Sequence, residues 1–130
     1  MNVTSAQLAQ IAGGRPDKSN INSIVVALTE YGPKTGLDKP HRLAQFIAQI
    51  AHESGGFKYD REIWGPTAAQ RGYEGRKDLG NTVKGDGKKF AGRGPIQLTG
   101  RGNVTRFHKW CVAEGLDPPD FFKTPDLINT

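Results

Sequence analysis

His41-Arg42-Leu43-Ala44-Gln45-Phe46-Ile47-Ala48-Gln49-Ile50-Ala51-His52-Glu53-Ser54-Gly55-Gly56 carries the clearest periodicity in the chain. Leu43, Phe46, Ile47 and Ile50 recur at three- and four-residue spacings, so they form one apolar stripe of a helix over His41–Ser54. Gly55-Gly56 then supplies its stop. Upstream, Thr4 or Ser5 caps a short helix through about Ala12, with Leu8 and Ile11 inward and Gly13-Gly14 as terminator. Ser19 or Asn20 opens a second helix in which Ile21, Ile24, Val25 and Leu28 share a face, ended by Gly32-Pro33. The segment from Pro33 to Pro40 reads as a loop.

Downstream the signal weakens. Residues 57–102 keep little periodicity beyond a short helix around Pro66–Tyr73 and a short extended piece at Pro95–Leu98. A last amphipathic helix is expected over Asn103–Glu114, with Phe107, Trp110 and Cys111 inward and Gly115 after it. Thr124-Pro125-Asp126 then opens like a helix whose body is missing. The expected class is mainly α, with a glycine-rich irregular segment lining a cleft.

The length of 130 residues, with 35% hydrophobic and 24% charged side chains, suits one globular domain with its own core. A single cysteine, Cys111, excludes an internal disulfide framework and a multi-cysteine zinc site, and its apolar helix face makes it a core residue. No apolar run approaches the roughly 18 residues of a membrane span, and neither a basic leader nor an apolar signal core opens the chain. The expectation is a protein made in the cytoplasm, without membrane insertion.

The net charge of +5 is concentrated in one place. Between Arg71 and Arg101 stand eight basic residues against three acidic ones, together with eight glycines, while the remainder balances at ten and ten. A positive, partly irregular surface of this kind favours a polyanionic partner, nucleic acid or an anionic cell wall; the plain alternative is a solvated loop that serves solubility.

Glu53 continues the stripe of Phe46 and Ile50 at helical spacing, which aims a carboxylate toward the core side in the last helical turn. Desolvation and the helix dipole would both raise its pKa, the usual way to make a general acid; the alternative is a glutamate bent to solvent or paired with His52 or Lys58. A proton donor to a leaving oxygen needs a second carboxylate to activate water. Glu62 is the first candidate because the Gly55-Gly56 turn lets the chain double back, with Asp60 and Glu74 as competitors.

The run Phe90–Asn103 joins close-approach glycines to Gln97, Thr99 and Asn103, neutral hydrogen-bonding groups suited to sugar hydroxyl and acetamido groups. In an extended piece Gln97 and Thr99 share a face. Arg93 lies in the same run, and Trp64 and Tyr73 offer rings that stack on sugar faces, although buried aromatics are the commoner use. Other motifs fail: His52-Glu53 lacks the second histidine of a zinc helix, and no phosphate loop or GxGxxG is present. No metal or nucleotide cofactor is implied.

In order, Phe46-Ile47-Ala48-Gln49-Ile50-Ala51-His52-Glu53-Ser54-Gly55-Gly56-Phe57, Arg61-Glu62-Ile63-Trp64 and Gly92-Arg93-Gly94-Pro95-Ile96-Gln97-Leu98-Thr99-Gly100-Arg101-Gly102-Asn103 resemble the catalytic domain of glycoside hydrolase family 19, the chitinase-like group that includes many bacteriophage endolysins. The resemblance spans about residues 40–129. It implies a helical, lysozyme-like fold and inverting hydrolysis of β-1,4 links beside N-acetylated sugars. It further implies Glu53 as general acid, Glu62 as the glutamate that activates water, Thr99 as the hydroxyl that helps hold that water, and Gln97 and Asn103 as substrate contacts. Val104 stands where the family usually has an aromatic residue, and the family's helices beyond Pro125-Asp126-Leu127 are absent, so the expected unit is one domain over 1–130 that is truncated at its C-terminus.

These readings converge on an endolysin-type enzyme acting as a monomer on the glycan strands of peptidoglycan, with no nucleic acid as partner. It would wait in the host cytoplasm and reach the wall after release. A chitinase is the same chemistry on another polymer. From a different class, a non-catalytic module that binds polyanions or polysaccharides through residues 71–101 also fits, as does an inactive remnant.

Overall fold

The computed structural model of the chain describes residues 2–129. It is mainly helical, and among the described residues there is no strand, only the isolated bridges Arg61 to Arg93 and Arg93 to Leu98. The mainly α class expected above therefore holds. The chain forms two compact units, one ending at Asp60 and the other beginning at Arg61.

The first unit contains α1 (Ser5–Ala12), α2 (Lys18–Tyr31) and α3 (Pro40–Glu53), with a 3-10 turn at Pro33–Thr35 inside the expected loop. Thr4 caps α1 through a capping box: its hydroxyl accepts from Gln7 N while the Gln7 side chain accepts from Thr4 N. The cap of α2 is Asp17, whose carboxylate accepts from Asn20 N at 3.0 Å, so the helix starts slightly earlier than Ser19 or Asn20 would have it. Leu8, Ile21, Ile24, Leu43, Ile47, Ile50 and Phe57 are buried together as this unit's core. Ile11, expected inward, is exposed.

The end of α3 is locked by its own side chains. Ser54, buried, donates its hydroxyl to Ile50 O at 2.6 Å and accepts from Phe57 N at 2.9 Å. Gly55, Gly56 and Phe57 follow in succession at φ of 61°, 74° and 59°, a left-handed run that two glycines make accessible. Phe57 accepts the strain of positive φ because the turn drives its ring fully into the core, and its carbonyl receives Asp17 N at 3.2 Å.

The second unit contains the one-turn helices α4 (Ala68–Arg71) and α5 (Asp86–Lys89), the longer α6 (Arg101–Ala113), and 3-10 turns at Lys77–Leu79 and Pro125–Asn129. Phe90, Val104 and Phe121 are its buried apolar centre, with Leu98, Phe107, Phe122 and Ile128 packed on them. Around that centre the irregular stretch is ordered by polar groups. Asp86, 1% exposed, takes a two-pronged ion pair from Arg101 at 2.7 and 2.8 Å and also accepts from Val83 N. Buried Asn81 donates to Tyr73 O and accepts from Arg101 N, both at 2.9 Å, fixing the start of α6.

The 57–102 region is thus not a loose glycine-rich connector. A Cβ on Gly100 would lie 2.6 Å from Leu79 O, so glycine there permits backbone-on-backbone packing. Pro95–Leu98 is a turn rather than an extended piece: Arg93 and Leu98 exchange both backbone hydrogen bonds, at 3.1 and 2.7 Å, and Gln97 stands at φ 59° between them. Of the inward residues expected on α6, Cys111 is buried and Phe107 partly so, whereas Trp110 is 44% exposed and stacks on Phe107.

Candidate active site

Glu53 occupies the last turn of α3, in the first unit. Its side chain is exposed, and Gln49 Nε2 donates to its Oε1 at 2.8 Å from one turn earlier. The expected core-side, desolvated setting is therefore corrected. The stripe of Leu43, Ile47 and Ile50 ends one turn before Glu53, and Ser54, rather than Glu53, takes the buried place at the helix end. The motif around Glu53 fixes the backbone that presents an outward carboxylate.

Glu62, in the second unit, has a different setting. It is half-buried, its backbone N–H donates to Gly92 O at 2.7 Å, and Gly92 N returns a bond to its Oε2 at 2.9 Å. Gln70 Nε2 and the Tyr73 hydroxyl both donate to Oε1, at 3.0 and 3.1 Å. Three donors from three points of the chain leave one side-chain conformation. A carboxylate offers about four acceptor positions, so a water still has a place on Oε2, the oxygen beside Gly92. Burial raises the Tyr73 hydroxyl above its ordinary range, and its bond to Glu62 and the charge there act the same way, so Tyr73 is a donor here over the whole neutral range.

Gln70 is the functional residue that sequence reasoning missed. It is 4% exposed, and its amide is fully used: Oε1 accepts from Gly65 N at 3.0 Å and Thr67 N at 2.8 Å, while Nε2 donates to Ile63 O at 2.8 Å as well as to Glu62. Thr67 in turn accepts from Gln70 N, completing a capping box for α4. The sequence signal was available, since Thr67-Ala68-Ala69-Gln70 has the S/T-x-x-E/Q spacing. One side chain therefore starts a helix and orients a carboxylate.

Gly92 also brings the run Phe90–Asn103 to Glu62. A Cβ at this position would lie 2.5 Å from Gln97 Oε1 and 3.1 Å from Thr99 Oγ1, so both polar side chains close directly over the glycine that holds Glu62. Thr99 donates its hydroxyl to Gln97 O at 3.1 Å, and Gln97 Nε2 donates to Gly94 O at 3.0 Å. Asn103 donates to Thr99 O at 2.7 Å and accepts from Arg106, which ties α6 to Thr99. Trp64 packs near Tyr73, with ring centroids 6.3 Å apart. Glu62, Tyr73, Gln97 and Thr99 thus share one neighbourhood of the second unit, with Trp64 at its edge and Asn103 behind it.

Arg93 is turned inward. Its guanidinium bonds Asp126 at 2.9 Å and the carbonyls of Lys89 and Ala91 at 2.8 and 2.9 Å, so it organises the turn and holds the Asp126 carboxyl below the usual carboxylate range. Of the competing carboxylates, Glu74 accepts from Gly85 N at 3.1 Å, while Asp60 ends the first unit. Three arginines of the basic stretch are held in ion pairs: Arg76 with Asp78, Arg93 with Asp126 and Arg101 with Asp86. Arg71, Lys77, Lys84, Lys88 and Lys89 are exposed. Among the described residues no three His, Cys, Asp or Glu side chains come together as a metal site would require, and no helix is long and apolar enough to cross a membrane.

No family model matches the chain. A Haemophilus influenzae protein named "Glycosyl hydrolase family 19 domain-containing protein" is 29% identical over 136 aligned positions, which take in 82% of this chain and 66% of that relative. The chain spans just under two thirds of the relative's length. This similarity supports an affinity of the chain with glycosyl hydrolase family 19.

Proposed function

We propose that the chain is a chitinase-like glycoside hydrolase that cleaves β-1,4 links between the N-acetylated amino sugars of peptidoglycan with inversion, residues 1–130 serving as one catalytic domain. Inversion needs a carboxylic acid for the leaving oxygen and a carboxylate for the water. Glu53, exposed at the end of a locked helix, serves as the acid. Glu62 takes the proton of a water that sits on Oε2, with the Thr99 hydroxyl as that water's second contact. Gln97, Asn103, Trp64 and Tyr73 are the substrate-side residues, and Arg93 contributes by shaping the turn that carries Gln97.

The observation that carries the proposal is the triple anchoring of Glu62 by Gln70, Tyr73 and Gly92. A surface glutamate has no need of a buried amide and a main-chain N–H to fix it. A water-activating base does, because general base catalysis depends on a fixed geometry to the reacting proton. The exposed lysines favour the anionic wall over a neutral polymer, and the enzyme would act as a monomer on that wall after release from the cell that makes it.

Turbidity loss of outer-membrane-permeabilised Gram-negative cells, with colloidal chitin in parallel, tests this reading. Lysis by the chain that disappears in Glu53→Gln is the expected outcome. Clearance of chitin alone would make it a chitinase, and binding without cleavage of either polymer by a folded chain would make it a polysaccharide-binding module.

A further inference from the structure

A hollow of about 370 Å³ opens beside the Glu62 anchor, lined by Trp64, Gln70, Arg71, Glu74, Gly87 and Lys88. All six residues belong to the second unit. Gln70 forms one wall, and the same amide donates to Glu62, so the hollow and the carboxylate are separated by one side chain. Its construction is specific. Asp86 is pinned by Arg101, which fixes α5, and Gly87 then presses so closely on the next segment that a Cβ there would lie 2.8 Å from Glu74 N. Lys88 is thereby held at the rim of the hollow. Arg71, on α4, has one N–H on Pro66 O at 3.1 Å, which restrains its guanidinium at the same rim.

The lining combines an indole, a buried amide, two cations and one carboxylate. Glu74 is turned to the N–H of Gly85, at 3.1 and 3.2 Å to its two oxygens, and two cations against this one carboxylate leave the balance of the rim positive. An aromatic face with cations beside it suits a sugar ring that carries an acid, and charge-assisted bonds to a carboxylate are about twice as strong as neutral ones. A neutral amino-sugar polymer would leave both cations without use.

We propose that this hollow is a subsite for an amino sugar bearing a carboxylate on its ether-linked lactyl substituent or on a peptide attached to it, with Arg71 and Lys88 as the residues that set the preference for peptidoglycan over chitin. Its place beside Glu62 rests on the glycosidase reading above, but its ligand chemistry stands on the lining. The carboxylate is the lactyl acid itself on a sugar without peptide or, where the lactyl carboxyl is taken up in an amide bond, one belonging to the attached peptide, and either meets the same two cations.

Binding is measured with chain carrying Glu53→Gln, so that ligands survive, by titration calorimetry together with quenching of Trp64 fluorescence in a chain that also carries Trp110→Phe. The probes are a peptide-bearing glycan fragment, the same fragment stripped of peptide to the lactyl acid, and a neutral chitin oligomer of equal length. The expected result is about tenfold tighter binding of an acid-bearing fragment at low salt, with the preference falling several-fold in Arg71→Gln and in Lys88→Gln and shrinking as salt rises. The fragment that keeps the preference identifies which carboxylate is read. Equal affinity for acidic and neutral ligands, or a preference that survives the double substitution, overturns the proposal. Turnover of each polymer by the unaltered chain is assayed alongside. Preference without turnover would remove the glycosidase reading and leave the subsite, whereas turnover without preference would do the reverse.

Discussion

The two carboxylates singled out by the sequence differ in how the chain holds them. Glu53 is exposed, touched by Gln49 alone among the hydrogen bonds above, and owes its position to a helix whose end is locked by Ser54 and Phe57. Glu62 is half-buried and held directly by three donors. The units around them differ in the same way. The first is built on an aliphatic core that helices bury, and the second on a small aromatic centre surrounded by the buried polar groups Gln70, Asn81 and Asp86. A helix end positions a group through its backbone; an irregular segment must do so side chain by side chain.

The sharpest way to break this contrast is to remove the polar support of the second unit. Asp86→Ala leaves the Arg101 guanidinium without its partner, and an uncompensated charge of this kind costs about 3–5 kcal/mol. Urea unfolding should show that loss, with amide protection falling first in α5 and at the start of α6. Acid reports the same pair. Arg101 holds the Asp86 carboxyl below the usual carboxylate range, so its contribution is present above the unfolded value near pH 4 and is lost as pH falls through the lower native value. The unfolding midpoint of the unaltered chain should therefore drop below about pH 4, with a gentler slope in Asp86→Ala. A variant as stable as its parent would show that the ion pair is ornamental.

The corresponding test in the first unit is apolar. Leu8 has no exposed surface, and Leu8→Ala should cost about 3 kcal/mol by lost burial and the cavity left behind. Its unfolding midpoint should not acquire a new acid dependence, because no charge is involved.

The smallest expected stability effects come from the two capping boxes, and they separate the regions most finely. Thr4→Ala and Thr67→Ala each remove a cap worth about 1 kcal/mol. Thr67→Ala also loosens Gln70 and hence Glu62, so it should lower hydrolytic rate several-fold, while Thr4→Ala leaves the rate within twofold. Equal rates in the two variants would detach Gln70 from the site.

These contrasts also explain what the sequence disclosed. α1, α2, α3 and α6 were legible because apolar side chains repeat with the helical period and a glycine stands within two residues of the end of each. The cap of α2 moved to Asp17 because several cap-forming residues stand in a row there, and periodicity cannot choose among them. Between 57 and 102 no period exists to be read: α5 depends on Asp86 reaching Arg101, fifteen residues away. Glu53 followed the stripe on paper, yet Ser54 fills the buried place because its hydroxyl satisfies Ile50 O and Phe57 N locally. The partnership of Glu62 with Gln70 was written as a capping box, which announces a helix start but not what else the glutamine holds.

The most direct test is the rate of glycan cleavage by Glu62→Gln beside the unaltered chain, with thermal unfolding of both recorded in the same buffer. A fall of at least about 100-fold with an unfolding transition shifted by no more than a few degrees is predicted, since general base catalysis contributes on that scale. A rate within about threefold of the parent would contradict the account and leave the three donors around Glu62 as structural bonds only.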